Sequence, residues 1–143
     1  MIIKYSTLDE FFIEKIKSLP KIKDDTKAYI SSTFIKYKDS KYDLSKESLT
    51  IEYAKAKFTG SFELYQNLGD WILWVESTYP AALKDATNEY YYALGQSSFY
   101  RCFILTNRTW KVFEEISDTL PDIINHLHAE LQTSSLLSPQ AET

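Results

Sequence analysis

The sequence predicts an all-α fold, a compact bundle of six to seven short helices. Three observations carry that reading. Apolar residues recur three and four apart between recognisable helix starts and stops. No alternating apolar and polar run bounded by turn residues competes with them, and no long internal repeat is visible. Only three glycines and four prolines occur, too few for the turn chemistry that hairpins require.

Taken in order, Ser6 and Thr7 followed by Asp9 and Glu10 mark a helix start, and Leu8, Phe11, Phe12, Ile16 and Leu19 follow at helical spacing until Pro20. Asp24 or Asp25 caps a second helix with Ile30, Phe34 and Tyr37 on one face. Ser45 opens a third segment, with Leu49, Tyr53 and Ala56 in a stripe and Phe58 near its end, and Thr59-Gly60 breaks it, glycine being the residue that most readily ends a helix in the left-handed conformation.

Ser61 caps "FELYQNLGDWILWVESTY", the best amphipathic pattern of the chain. At about 100° per residue, Leu64, Tyr65, Leu68, Trp71, Ile72, Val75 and Tyr79 share one arc, and Glu63, Gln66, Asp70 and Ser77 lie opposite. Pro80 suits a first helical position, so "AALKDA" reads as one short turn. Thr87 or Asn88 then caps "NEYYYALGQSSFYRC", a helix reaching Leu105, and Asn107 or Arg108 marks a break. "TWKVFEEISDTL" reads as a helix with Trp110, Phe113 and Ile116 or Ser117 on one face, and Pro121 as the start of a last helix carrying Ile123, Ile124, Leu127 and Leu131. These elements predict one helical domain over residues 1–132, and the Ser, Thr, Pro and Gln of residues 133–143 predict a flexible tail.

Two glycines fall inside helices. Gly69 and Gly95 each cost about 0.5–1 kcal/mol relative to alanine, and close packing is the simplest return. The helices that carry them are therefore expected to be neighbours at the centre of the fold.

Composition excludes several chemistries. At 44% hydrophobic and 25% charged the chain has ordinary globular values, while 15% aromatic residues, with eleven tyrosines, is high. Residues 1–60 carry 12 lysines against 9 acids, residues 61–143 carry 4 cations against 11 acids. The basic half has lysines interleaved with acids and no arginine to fork a phosphate or read a base edge, which argues against nucleic acid and for a solvated helical surface. The lone Cys102 makes no internal disulfide and predicts a cytoplasmic protein. "MIIKYSTLDEFF" lacks the pattern of a signal peptide, and no apolar run of about 18 residues predicts a membrane span.

No metal and no cofactor are expected. His126 and His128, the two histidines, stand about 200° apart on a helix and cannot share an ion. The glycines at 60, 69 and 95 build no phosphate loop. The pairs Glu114 with Glu115 and Asp118 with Asp122 read as solvated surface rather than an acid and base. Asp70 falls on the polar arc; if buried, it requires a partner, with Arg101 or a tyrosine hydroxyl as candidates.

The aromatic helix raises the functional question. Tyr91, Gly95, Ser98 and Cys102 make one face, Ala93, Tyr100 and Ile104 the other, with Tyr90 and Leu94 between. A helix apolar nearly all round is central to a core or half of an interface, and tyrosine suits both.

At "LGDW", "YYYALGQSSFYR" and "FEEISDTLP" the chain resembles small uncharacterised all-helical bacterial proteins, over Leu68 to Pro121. The resemblance implies that these glycines and tyrosines belong to one structural unit, and no activity, cofactor or partner comes with it. The expected function is a non-catalytic protein-interaction or self-associating module, with a homodimer as one form. Its expected binding residues are Tyr90, Tyr91, Tyr92, Phe99, Tyr100, Trp74, Asp70 and Arg101. A helical pocket for a small apolar or aromatic ligand is the alternative, and an enzyme using tyrosine and carboxylate groups a weaker third.

Overall fold

The computed structural model describes residues 7–38, 49–83 and 86–132. Among these the chain forms six α-helices and one 3₁₀ turn and no strand: α1 (Leu8–Lys17), α2 (Asp24–Lys38), α3 (Leu49–Thr59), α4 (Phe62–Thr78), the turn Pro80–Ala82, α5 (Asn88–Leu105) and α6 (Lys111–Gln132). The expected start at Ser45 and the expected tail at 133–143 lie outside the described residues. No helix among them is long and apolar enough to cross a membrane.

Side-chain oxygens accept from backbone N–H groups that have no partner within the helix. Thr7 accepts from Glu10, Ser61 from Leu64 and Thr87 from Tyr90. At the head of α2 the acceptor is instead on another helix. The Glu115 carboxylate of α6 receives the Lys23 N–H at 3.3 Å and the Thr26 hydroxyl at 2.5 Å, while Asp24 is already the first helical residue. Gly60 (φ 66°) ends α3, and Asn107 and Arg108 (φ 56° and 61°) turn the chain from α5 into α6.

The expected break at Pro121 does not occur: α6 runs unbroken through it. Proline has no N–H to give the Ser117 carbonyl four residues back. That carbonyl is supplied from α5, where Gln96 Nε2 donates to it at 2.9 Å, and the Ser117 hydroxyl returns a bond to the Gln96 carbonyl at 2.9 Å. With the orphaned acceptor satisfied, a continuous apolar stripe from Phe113 through Ile116, Leu120, Ile123, Ile124 and Leu127 to Leu131 is buried.

Helix α4 is the hub, with α2, α3, α5 and α6 all packed on it. Its expected polar arc holds at Glu63, which is exposed, and fails from Asp70 onward for that reason. From Leu68 to Ser77 every residue but Trp74 is buried, including Asp70, Glu76 and Ser77, because no side of the helix centre is left to solvent. At its end, Tyr79, expected on the apolar arc, is exposed.

The two helical glycines are at the centre, as the sequence predicts. A Cβ on Gly69 would lie 3.0 Å from the Phe99 ring, and one on Gly95 would lie 2.7 Å from Leu120 Cδ2 and 3.2 Å from Ile72 Cγ2. Gly69 opposite Phe99 and Ile72 opposite Gly95 fix the antiparallel register of α4 and α5. One turn further, that register places Glu76 opposite Tyr92.

Candidate functional site

The eight residues singled out from the sequence divide between interior and surface. Phe99 and Tyr91 are buried. Trp74, half-buried, stands edge-on to Phe12 and Phe34 at 5.7 and 5.2 Å and stacks on Tyr37. Phe99 stacks on Phe113 and lies perpendicular to the Tyr29 ring. These rings fill the core.

Asp70, 4% exposed, belongs to the interior too. The Tyr29 hydroxyl donates to its Oδ1 at 2.6 Å, and Gln66 Nε2 donates to that hydroxyl at 3.1 Å. Of the two partners weighed from the sequence, the tyrosine hydroxyl is the one realised, and Arg101 is exposed. Burial pushes the Asp70 carboxyl up to about 7, outweighing the Tyr29 hydrogen bond and the Lys36 charge, which both pull it down. Tyr29 is raised by burial and by the Asp70 charge. Burial and Asp70 together push the Cys102 thiol up to about 12, so it is a thiol at neutral pH and a poor nucleophile.

A second buried carboxyl was not singled out by the sequence reading. Glu76 is 2% exposed, its Oε1 has no hydrogen-bond partner among the described residues, and burial pushes it up to about 7. Its spacing of four from Ile72 and seven from Gly69, both on the α5-facing stripe, is the signal that could have found it. Tyr92, half-buried, is raised by burial and then by the charges of Glu76 and Glu89, and its hydroxyl donates to Asn125 Oδ1 at 3.4 Å. The two histidines go to different parts of the bundle: His126 Nε2 is 3.0 Å from the hydroxyl of Ser18, just past the end of α1, and His128 Nδ1 is 3.3 Å from the Ser77 carbonyl of α4. Among the described residues no group of three His, Cys, Asp or Glu side chains could hold a metal ion.

The other three stand at the surface on the outer face of α5. Tyr90 is 37% and Tyr100 42% exposed. The Tyr90 hydroxyl meets Thr50 Oγ1 of α3, and the Tyr100 ring leans on Phe103 at 6.2 Å. Between them Ala93 and Ser97 are exposed small residues, with Arg101 one turn beyond.

This face is the floor of a groove. Tyr53 of α3 and Ser117 and Asp118 of α6 wall an open cleft of about 650 Å³ over Ala93, Gln96, Ser97, Tyr100 and Arg101. A smaller one of about 330 Å³, lined by Lys57, Gly60, Tyr65, Ile104 and Leu105, adjoins it at the shared Arg101. Together they follow α5 for about 18 Å, from Ala93 to Leu105. The inner face of the helix packs through Tyr91, Gly95, Ser98, Phe99 and Cys102, so the floor is held rigidly.

Fold and surface together define a small all-α protein with sealed carboxyls in its core and an aromatic groove on one side. No protein-family model, curated protein or solved structure matches this chain.

Proposed function

We propose that this protein is a non-catalytic interaction module whose docking surface is the groove over α5. The observation that carries this reading is the pairing of Tyr100 with Arg101 at the centre of that groove, on a helix whose opposite face is the core. Tyrosine and arginine are the anchors that most often dominate protein interfaces, and a rigid platform spares the ordering cost of binding. The buried groups Asp70, Glu76 and Cys102 support the non-catalytic part: each is closed off from solvent and holds its proton more tightly than usual, while the accessible groups of the groove offer no nucleophile beside a base.

A photo-crosslinking amino acid placed at Tyr100, with the exposed Lys17 of α1 as control, tests the reading in cells that express the protein. A defined protein adduct at position 100 and none at position 17 is the expected result. Equal labelling at both, or none at either, overturns it.

A further inference from the structure

The groove has charge of opposite sign along its two sides. On the α3 side are Lys57 and, at the junction of the two clefts, Arg101. On the α6 side is Asp118, with Glu114 and Asp122 one turn to either side of it along the ridge. Among the described residues no carboxylate pairs with Arg101 and no cation pairs with Asp118 or Asp122, and the one ion pair on the ridge is Lys111 with Glu114 at 4.0 Å. Arg101, on the floor, also lines the cleft of Lys57 on the α3 side, so opposite charges flank Ala93, Ser97 and Tyr100.

The geometry points to a second copy of this chain as the occupant, docked face to face about a twofold axis that runs along α5. This rests on the reading of the groove as an interaction surface and names its partner. The charge pattern selects both copy and axis. A twofold interface sets one patch against itself. An in-plane axis across α5 would bring Arg101 near its own copy and Asp118 near its own copy, two repulsions. An axis along α5 exchanges the sides, so that Arg101 of each chain faces the Glu114 and Asp118 carboxylates of the other, and like charges are kept apart. The same operation runs the two α5 helices parallel and sets the α3 wall of each groove against the α6 wall of the other, with the two floors facing across the space between.

Sedimentation velocity on the purified full chain, over concentrations from about 1 µM to about 1 mM, reads this out. The expected result is a shift from the chain mass to twice that mass. Arg101→Glu and Asp118→Arg, both at exposed positions, each weaken the dimer by about tenfold or more, and the two together restore it. A chain that stays monomeric throughout, or a dimer indifferent to the charge exchanges, overturns the inference. If the purified chain is monomeric yet Tyr100 crosslinks to another protein in cells, the second copy is wrong and the interaction groove stands; if neither occurs, both are wrong.

Discussion

The Tyr29 hydroxyl of α2 donates to Asp70 Oδ1 of α4 across 2.6 Å, and Gln66 holds that hydroxyl from its other side at 3.1 Å. The three side chains join two helices through the interior, with the Tyr29 ring edge-on to Phe99 and Phe113. A hydrogen bond to an ionised carboxylate is roughly twice as strong as one between neutral groups. Burial nevertheless wins, since Asp70 stays protonated up to about pH 7.

Tyr29→Phe tests that balance. The ring contacts remain while the carboxyl loses its donor, and the expected loss of stability is about 1–3 kcal/mol. Because the ionised form depends on the donor most, the loss grows from about pH 5 to about pH 8. Urea unfolding at the two pH values checks both points, and an equal loss at each would show that Asp70 does not ionise in the folded chain.

Asp70 and Glu76 also set the direction in which stability depends on pH. Both fold with carboxyls held near 7 instead of their ordinary values of 3.8 and 4.5. Between those limits the folded chain keeps protons that the unfolded chain has released, so stability is fully present below about pH 4 and falls as pH rises through about 7. For Glu76 the fall is on the order of 3 kcal/mol. Glu76→Gln has no proton to lose, and its unfolding free energy is expected to vary less between about pH 4 and about pH 8 than that of the natural chain. An unchanged slope would exclude Glu76 as a contributor.

These two carboxyls mark where sequence reasoning stopped. Caps at Thr7, Ser61 and Thr87 were legible because a hydroxyl must lie three residues before the N–H it serves, a local relation. The glycine contacts were legible because a mid-helix glycine has a cost that packing must offset. Asp70 was placed on a polar arc by a periodicity argument that assumes one wet side, and α4, surrounded by four helices, has none through its centre. The pairing of Tyr29 with Asp70 spans 41 residues, and no spacing rule encodes it. On the surface, the aromatic face of α5 could be read from the sequence, but the charged walls supplied by α3 and α6 could not, since they depend on which helices flank it.

Gly69→Ala and Gly95→Ala rank two packing contacts. An alanine normally gains about 1 kcal/mol over glycine inside a helix, so any net loss reports the clash. At Gly69 the new methyl meets the Phe99 ring at 3.0 Å, and that ring is held from behind by Phe113 and Tyr29. At Gly95 the closest atom is a terminal methyl of Leu120, which can turn aside. Thermal unfolding is expected to show Gly69→Ala destabilised by about 1–3 kcal/mol and Gly95→Ala by less. The reverse order would mean that the Ile72 contact at Gly95, rather than the ring at Gly69, is the rigid one.

The continuity of α6 depends on a bond from another helix, and this can be isolated. Pro121 leaves the Ser117 carbonyl without its helical donor, and Gln96 Nε2 takes that place at 2.9 Å. Gln96→Ala therefore strands a part-buried acceptor and is expected to cost about 1–3 kcal/mol. In a Pro121→Ala chain the residue 121 N–H becomes available to the same carbonyl, and Gln96 becomes dispensable there. The same Gln96→Ala change is then expected to cost less than half as much, a coupling that a double-mutant cycle measures directly. The Ser117 hydroxyl bond to the Gln96 carbonyl is backbone-directed at its acceptor end and persists in all four chains, so it cancels from the cycle. Equal costs in the two backgrounds would show that solvent, not Gln96, satisfies the carbonyl. The long apolar stripe from Phe113 to Leu131 would then alone account for the helix passing through its proline.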